Sequence, residues 1–309
     1  MSRVLITGAT GAVGNALLAE LAASGHDIIA TARHAPASLP GNARFTTLDV
    51  RGGDADRVIG TERPDAVIHL ASVVGVMVRH LAHEIDVGGM RNVLAACVAH
   101  KVRRLVVTSS GAAYGYHADN PALLRESDPL RGNPEFAYAD HKRQIEDVLA
   151  KARKDAPCLE QVVLRVSTVL GDGMENQITA LFHRPRLLAI AGSASPFVFI
   201  AARDLARILH RAIADGPPGI YNVAGDGAAG IRDLAASLGK PVLTLPAGAL
   251  KAALAIARPL GLSRYGPEQV RFLQYRPVLD NTALKTRFGY SPDLTSAEAF
   301  AHWQKAAGL

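Results

Sequence analysis

Three polar residues have the types and spacing of a proton-transfer site: Ser110, Tyr138 and Lys142. A tyrosine phenol ordinarily has a pKa of about 10, roughly 3 units too high for acid–base work near neutral pH. Lys142 follows Tyr138 by four residues, so both lie on one face of a helix, and a nearby ammonium group favours the phenolate. A serine hydroxyl can hold a substrate oxygen between them. The trio indicates proton exchange with an alcohol or carbonyl oxygen.

A glycine-rich turn near the amino terminus supplies the site for a hydride carrier. The apolar run Arg3–Thr7 leads into the sequence Gly-Ala-Thr-Gly-Ala-Val-Gly at 8–14, and a helical pattern follows. Glycines let the backbone approach a diphosphate, and the helix amino terminus favours its charge. The strand-to-helix context favours dinucleotide binding over a tight turn without a ligand. The turn residues that we expect to contact the cofactor are Gly8, Thr10, Gly11, Ala12, Val13 and Gly14.

The residue after the second predicted strand bears on the choice between NAD and NADP. NAD sites often carry an acidic residue here that binds the ribose hydroxyls, but this chain has Ala32 and then Arg33. An acid would repel a 2′-phosphate, whereas an arginine can hold it through charge-assisted hydrogen bonds. We therefore expect NADP to be preferred; NAD remains possible if Arg33 only stacks on the adenine.

Alternating strand-like and helical patterns must position these groups. The alternation predicts an α/β fold, a doubly wound parallel sheet of the Rossmann type with helices on both faces. Ligands of such sheets bind beyond the carboxyl ends of the strands, where the residues named above fall. The predicted strands are 3–7, 28–32, 44–48, 65–71, 104–109 and 161–166, and the predicted helices are 13–24, 84–99 and 138–153.

The rest of the chain predicts a smaller, mixed C-terminal substrate lobe. Residues 1–170 are assigned to the NAD(P)-binding domain, to which 199–223 return. Residues 171–198 and 224–309 are assigned to the substrate lobe. Within it, the alanine- and leucine-rich segment 246–262 is too short and polar for a membrane span, and a helix over the substrate cleft is favoured over a membrane contact.

With these residues in view, the chain resembles the extended short-chain dehydrogenases/reductases, and within them the NAD-dependent epimerase/dehydratase group. The main motifs are Thr7-Gly8-x-x-Gly11-x-x-Gly14, Ser109-Ser110 before Tyr114-Gly115, and Tyr138-x-x-x-Lys142. Smaller matches are Asp49-Val50, His69-Leu70-Ala71-Ser72, Leu164-Arg165-x-x-x-Val169-x-Gly171, Phe199–Ala206 and Asp280–Pro292. The resemblance runs the length of the chain, but none of these motifs specifies a substrate.

The resemblance implies a role for each residue of the trio. Tyr138 exchanges the proton, Ser110 orients the oxygen, and Lys142 stabilises the phenolate and holds the nicotinamide ribose. Residues after the third, fourth and fifth strands are expected to contact the cofactor together with Tyr138 and Lys142; they are Asp49, Val50, Leu70, Ala71, Ser72 and Thr108.

Some positions depart from the family pattern. Asp86 stands where many members have asparagine, and His141 fills the position before the lysine, which is often serine or threonine. The usual sugar-nucleotide anchor between the sixth strand and Phe199 is not evident. The sequence therefore does not assign a nucleotide sugar as the substrate.

Three function classes remain. The first is an NADP-dependent dehydrogenase/reductase of a secondary alcohol or ketone. The second is an epimerase with tightly bound cofactor, which oxidises a carbinol and reduces it again from the other face. The third is a non-catalytic NADP-binding redox sensor, but such proteins often lose the tyrosine or the lysine, and both are present here. A dehydratase is disfavoured because Gly111, not an acid, follows Ser110.

Composition narrows the class of protein further. The 309 residues are 49% hydrophobic and 20% charged, which supports a sizeable core and argues against disorder. The net charge is +6, but the lysines and arginines are scattered along the chain and aromatic residues are only 5%, which argues against nucleic-acid binding. The positive charge instead indicates an anionic cofactor and allows an anionic substrate. The two cysteines are isolated, which indicates neither a disulfide framework nor a metal site. The first strand begins at once without a signal peptide, so we expect a cytoplasmic protein without a membrane span.

Apolar residues lie on more than one side of the predicted helices 84–99 and 138–153. One stripe of each helix should pack on the sheet. Family members often use these two helices in a two-fold four-helix interface, so the resemblance implies a homodimer. The alternative is that every apolar position faces the protein's own core. The stripes are Met90, Val93, Leu94, Cys97 and Val98 on the first helix and Ile145, Val148 and Leu149 on the second.

Overall fold

A parallel sheet organises the structure, a computed structural model that describes residues 1–75, 77–263 and 265–309. Its strands are β1 (Arg3–Thr7), β2 (Asp27–Ala32), β3 (Ala43–Thr47), β4 (Ala66–His69), β5 (Arg104–Ser110), β6 (Glu160–Val166), β7 (Thr168–Leu170), β8 (Leu187–Ile190), β9 (Phe199–Ala201), β10 (Gly219–Val223) and β11 (Val242–Leu245). In these parts of the chain, seven strands pair in the order β10-β6-β5-β4-β1-β2-β3, and all pairs are parallel. The predicted Rossmann-type sheet is confirmed.

Helices cover both faces of this sheet. The α-helices of the described residues, on this sheet and in the C-terminal part, are α1 (Ala12–Leu21), α2 (Asp54–Glu62), α3 (Arg79–His83), α4 (Gly89–Ala99), α5 (Ala137–Asp155), α6 (Thr179–Phe182), α7 (Ala202–Ala214), α8 (Ile231–Ser237), α9 (Ala247–Ala257), α10 (Gln269–Gln274), α11 (Thr282–Thr286) and α12 (Ser296–Ala306). The alternation of side chains along β1 shows why both faces need cover. Val4 and Ile6 join the core beneath α1 and α7, whereas Leu5 joins the core beneath α2, α4 and α5.

Among the predicted boundaries that differ from the structure, two lie near Asp86. The fourth strand ends at His69 rather than at residue 71. The predicted helix 84–99 begins as a π-helical turn, Glu84–Gly88, and continues as α4. Asp86 in that turn accepts a hydrogen bond from the Val73 N–H at 2.8 Å. The widened turn and the early strand end therefore meet at one carboxylate.

A separate aromatic cluster packs around the two small sheets, β7 with β9 and β8 with β11. Phe182 contacts Phe197, Phe300 and Trp303 at ring-centroid distances of 4.9–5.8 Å. The predicted helix in 246–262 is observed as α9, and none of its residues is buried. Throughout the described ranges, every helix is too short or too polar to cross a membrane.

Candidate active site

The predicted catalytic trio lies where β5 ends and α5 begins. Ser110 is the last residue of β5, and its Oγ accepts a hydrogen bond from the Ala112 N–H at 3.1 Å. Tyr138 and Lys142 lie in the first two turns of α5, with Lys142 Nζ 5.6 Å from the Tyr138 ring centroid. Lys142 Nζ also donates to the Thr108 carbonyl oxygen at 2.9 Å. One ammonium group thus joins the tyrosine to the strand that presents the serine.

Exposure within the trio fits this chemistry. Lys142 and Ser110 are buried, whereas Tyr138 is partly exposed. A buried ammonium group acts in a low-dielectric surrounding, where its attraction for a phenolate is stronger than in water. A partly exposed phenol can still meet a substrate. The arrangement can move a proton between Tyr138 and a bound oxygen.

The glycine turn between β1 and α1 has the geometry of an anion cradle. Gly8 adopts φ +71°, and a Cβ there would lie 2.7 Å from the Ala71 backbone nitrogen. At Gly14 a Cβ would lie 2.5 Å from the Ala9 carbonyl oxygen. Both positions therefore require glycine. The turn residues Thr10, Gly11 and Ala12 are exposed, and Gly11 at the helix cap has no side chain to occupy the first N–H groups, which can receive a diphosphate.

Two arginines follow the next two strands, β2 and β3, at the same edge of the sheet. Arg33 is exposed after β2, and Asp49 after β3 is paired with Arg51 at 2.6 Å between Oδ2 and Nη2. Hydrogen bonds from Arg51 hold the pKa of the Asp49 carboxyl low, and the charge of Arg33 contributes in the same direction. Arg51 was missed by sequence reasoning, although it directly follows the Asp49-Val50 motif. A groove of about 590 Å³ runs from Thr10 along residues 34–40 beside Arg33.

The end of β4 lies against the glycine turn and close to Lys142. The Leu70 N–H donates to the Thr7 carbonyl oxygen at 3.1 Å, which brings Ala71 beneath Gly8. His69 Nδ1 lies 2.8 Å from Thr7 Oγ1, and both side chains are buried. Burial lowers the pKa of His69 to about 3, and the charge of Lys142 acts in the same direction. His69 is therefore a neutral imidazole beside the site.

Two further predicted cofactor contacts have intramolecular partners. Ser72 Oγ donates to Asp86 Oδ1 at 2.9 Å. Val50 is buried, and a Cβ on Gly89 of α4 would lie 2.6 Å from its Cγ2 atom. These contacts fix the loops after β3 and β4 against the start of α4.

A partly buried arginine, missed by sequence reasoning, lies near Tyr116. Arg276 Nε donates to the Ser195 carbonyl oxygen at 3.1 Å, and its guanidinium carbon lies 3.7 Å from the Phe197 ring centroid. Burial lowers the pKa of Arg276 to about 9, while Tyr116 acts in the opposite direction. Tyr116 in turn interacts electrostatically with Tyr138. In the sequence, the signal for Arg276 is its position shortly before the Asp280–Pro292 motif.

The parallel sheet, the glycine turn and the Tyr-x-x-x-Lys helix define a dinucleotide-binding enzyme of the extended short-chain dehydrogenase/reductase class. Residues 4–224 match the NAD dependent epimerase/dehydratase family. The chain belongs to this family of NAD-dependent enzymes.

The chain is also similar in sequence to individual proteins. Uncharacterized protein Rv0501 of Mycobacterium tuberculosis (strain ATCC 25618 / H37Rv) is 26% identical over 317 aligned positions, covering 99% of this chain and 84% of that protein. UDP-glucose 4-epimerase 2 of Oryza sativa subsp. japonica is 29% identical over 186 positions, covering 54% of this chain and 45% of that protein.

Solved structures share the fold. The Bordetella bronchiseptica enzyme WbmG, in complex with NAD and UDP, has a TM-score of 0.77 at 18% identity, with 99% of this chain and 95% of that chain covered. UDP-glucose 4-epimerase of Thermotoga maritima, with UDP-glucose, has a TM-score of 0.78 at 19% identity, with 99% and 98% covered. At these identities the likeness shows the fold alone.

Proposed function

We propose that this chain is an NAD(P)-dependent oxidoreductase that transfers hydride at a secondary alcohol or ketone, with Ser110, Tyr138 and Lys142 as its catalytic residues. The observation that carries the proposal is Lys142, whose Nζ binds the Thr108 carbonyl oxygen beside the Tyr138 ring. Tyr138 gives its proton to the ketone oxygen in reduction and takes it from the alcohol in oxidation. Ser110 holds that oxygen, and Lys142 favours the phenolate and binds the nicotinamide ribose. NADP or NAD, when bound, supplies or accepts the hydride.

The cofactor site that we propose begins at the glycine turn and ends at Lys142. The N–H groups after Gly11 face the diphosphate, Asp49 and Val50 border the adenine, and the residues after β4 border the nicotinamide ribose. Arg33 is exposed at the adenosine end, which supports a preference for NADP over NAD.

We expect NADPH to bind more tightly than NADH, and Arg33→Ala to weaken NADPH selectively. Loss of a charge-assisted bond to the 2′-phosphate corresponds to about 1.5–3 kcal/mol, or roughly 10- to 100-fold in affinity. Fluorescence titration with both cofactors measures this change. Arg57→Ala is the matched control, because Arg57 is an exposed arginine paired with Asp54 on α2. Equal wild-type affinity for the two cofactors, or tighter NADH, would contradict the prediction.

We propose that the substrate is anionic and that residues 171–198 and 224–309 bind it. Arg276, which belongs to this lobe, stacks on Phe197 and has an enclosed Nη1 atom without a hydrogen-bond partner among the described residues. An enclosed guanidinium donor is costly unless it is satisfied, and an anion would satisfy it.

A thermal-shift screen tests this substrate class. Wild type and Arg276→Met, both with cofactor, would be screened with nucleotide sugars, sugar acids and neutral ketones. We expect anionic compounds to stabilise the wild type and to lose most of that effect in Arg276→Met. Arg271→Met is the control, because Arg271 is an exposed arginine on α10 paired with Glu135. Stabilisation by neutral ketones alone would refute an anionic substrate; an unchanged anion effect in Arg276→Met would remove Arg276 from the site.

A nucleotide-sugar epimerase is the second candidate. The sequence similarity to UDP-glucose 4-epimerase 2 of Oryza sativa subsp. japonica favours it. An epimerase returns its hydride in each cycle, so purified protein should retain a nucleotide that does not exchange, whereas a reductase should exchange it freely. Absorbance and nucleotide analysis of the purified protein separate the two.

A non-catalytic redox sensor is the third candidate, and turnover of any substrate would exclude it.

We also propose a cytoplasmic homodimer formed through α4 and α5. Most residues of the predicted stripes pack in the protein's own core, but Val98 on α4 remains 42% exposed, and Leu81 on α3, outside the stripes, is 38% exposed. Burial of these side chains against a second copy would stabilise the pair. Light scattering at micromolar concentration should give about twice the 32.6 kDa chain mass. A mass near 32.6 kDa that is unchanged on concentration would reject the dimer.

A further inference from the structure

Asp86 and His141, the residue that directly precedes Lys142, form a buried pair. Asp86 Oδ2 lies 2.9 Å from His141 Nδ1, and both side chains are only 1% exposed. The other carboxylate oxygen accepts hydrogen bonds from Ser72 Oγ at 2.9 Å and from the Val73 N–H at 2.8 Å. One carboxylate therefore joins α5 to the loop after β4. These are the same two positions at which the sequence departs from the family pattern.

The hydrogen bonds determine where the protons lie. Burial alone would raise the pKa of the Asp86 carboxyl, but hydrogen bonds from His141 and Val73, with the charge of Lys142, hold it below its ordinary value. A carboxylate only accepts, so His141 Nδ1 carries a proton. The other ring nitrogen, Nε2, is buried and has no partner among the described residues.

The groups that face this pair come from three elements, β4, α3 and α5. Lys142 on α5 and His69 on β4 are electrostatically coupled to Asp86. His83 on α3 contacts the His141 ring edge-on at a centroid distance of 5.3 Å. Of the groups named, Asp86 is the one that carries a negative charge, and it faces the buried ammonium group of Lys142.

We propose that Asp86 and His141 are a positioning pair, which fixes the start of α5 to the cofactor side of the site and sets one negative charge beside Lys142. The proposal rests on the proposed function, because it assumes that Tyr138 and Lys142 exchange the proton. An asparagine at position 86 would keep the shape but lose the charge. Its amide NH₂ would then face the Nδ1–H of His141, so the imidazole would have to change its tautomer or move.

The first test is the pH profile of alcohol oxidation in Asp86→Asn. Removal of a nearby negative charge favours the phenolate, so the pH of half-maximal rate should fall by roughly 0.5–1 unit. We expect kcat to fall about tenfold with KM nearly unchanged. Asp147→Asn is the matched control, since it makes the same change on the exposed face of α5. An unchanged profile, or an equal shift in both variants, would overturn the proposal.

A double variant separates position from charge. His141→Ser added to Asp86→Asn removes the opposed N–H and installs the residue types common at these positions in the family. We expect kcat to return to within about threefold of wild type, while the pH profile stays shifted because the charge is still absent. A double variant whose loss equals the product of the single losses would show that the residues do not act as a pair.

A proton–nitrogen correlation NMR spectrum of protein labelled with nitrogen-15 at histidine tests the pair without any turnover. The wild type should show a downfield imidazole Nδ1–H resonance that is absent from both Asp86→Asn and His141→Gln. Absence of this resonance in the folded wild type would overturn the pair, whatever the enzyme does. A protein with the resonance but without turnover on any substrate would instead count against the proposed function.

Discussion

Replacement of Tyr138 by phenylalanine is expected to lower turnover by about 10²–10⁴-fold while cofactor affinity stays within about twofold of wild type. The phenyl ring keeps its packing and its contact with the Lys142 ammonium group, which lies 5.6 Å from the ring centroid. Only the titrating hydroxyl is lost. Steady-state kinetics on the substrate found by screening, together with cofactor titration, measure both quantities.

Lys142→Ala is the informative companion variant. It should impair turnover and cofactor binding together, because Lys142 is proposed to stabilise the phenolate and to hold the ribose. It also removes the bond to the Thr108 carbonyl oxygen that ties α5 to β5. If Tyr138→Phe turned over within tenfold of wild type, a deficit under about 1.4 kcal/mol, the assignment of Tyr138 would be wrong.

The sequence predicted those parts of the site whose geometry is determined within a short segment of the chain. Gly8 and Gly14 are required because backbone atoms stand where a Cβ would be, and a glycine pattern records such contacts directly. Tyr138 and Lys142 are four residues apart on one helix, so their proximity follows from helical geometry. The alternation of strands and helices predicted the sheet for the same local reason.

The contacts that the sequence could not predict join distant segments. Asp86 and His141 are 55 residues apart, and both were noted only as departures from a pattern. Arg276 meets Ser195 across 81 residues. Periodicity cannot show such pairings, because it specifies which face of an element is apolar or polar but not which other element covers that face.

The helix stripes show the same limit. Met90, Val93 and Cys97 were considered for a subunit interface, but the structure buries all three in the protein's own core, and only Val98 of that stripe remains well exposed. A helix that lies between a sheet and a second helix needs apolar residues on two sides without any partner subunit. The apolar pattern alone therefore could not separate a homodimer from a closely packed monomer.

We expect the largest loss of folding stability when the ion pair between Glu146 and Arg165 is broken. Glu146 also binds Ser109 on β5, the strand that ends at Ser110. Arg165 Nη2 lies 2.8 Å from Glu146 Oε2, with side chains only 5% and 4% exposed, and Ser109 Oγ donates to the same carboxylate at 2.5 Å. Arg165→Met leaves that carboxylate buried without its cation. Breaking a buried pair in this way costs about 3–5 kcal/mol. Urea unfolding of the cofactor-free protein measures the loss.

Two further variants show whether burial of the charge is the cause. Arg143→Met removes an arginine from α5, the helix that carries Glu146. Arg143 is 30% exposed, its partner Asp147 is 65% exposed, and its partner Asp140 keeps its pair with Arg79, so the loss should stay below about 1 kcal/mol. Glu146→Leu added to Arg165→Met removes the stranded carboxylate and should recover stability relative to Arg165→Met alone. Equal destabilisation by Arg165→Met and Arg143→Met would show that burial of the ion pair does not increase its contribution to stability. No recovery in the double variant would instead assign the loss to the hydrogen bonds from Arg165 to Tyr114 and Glu126, because those are missing in both variants.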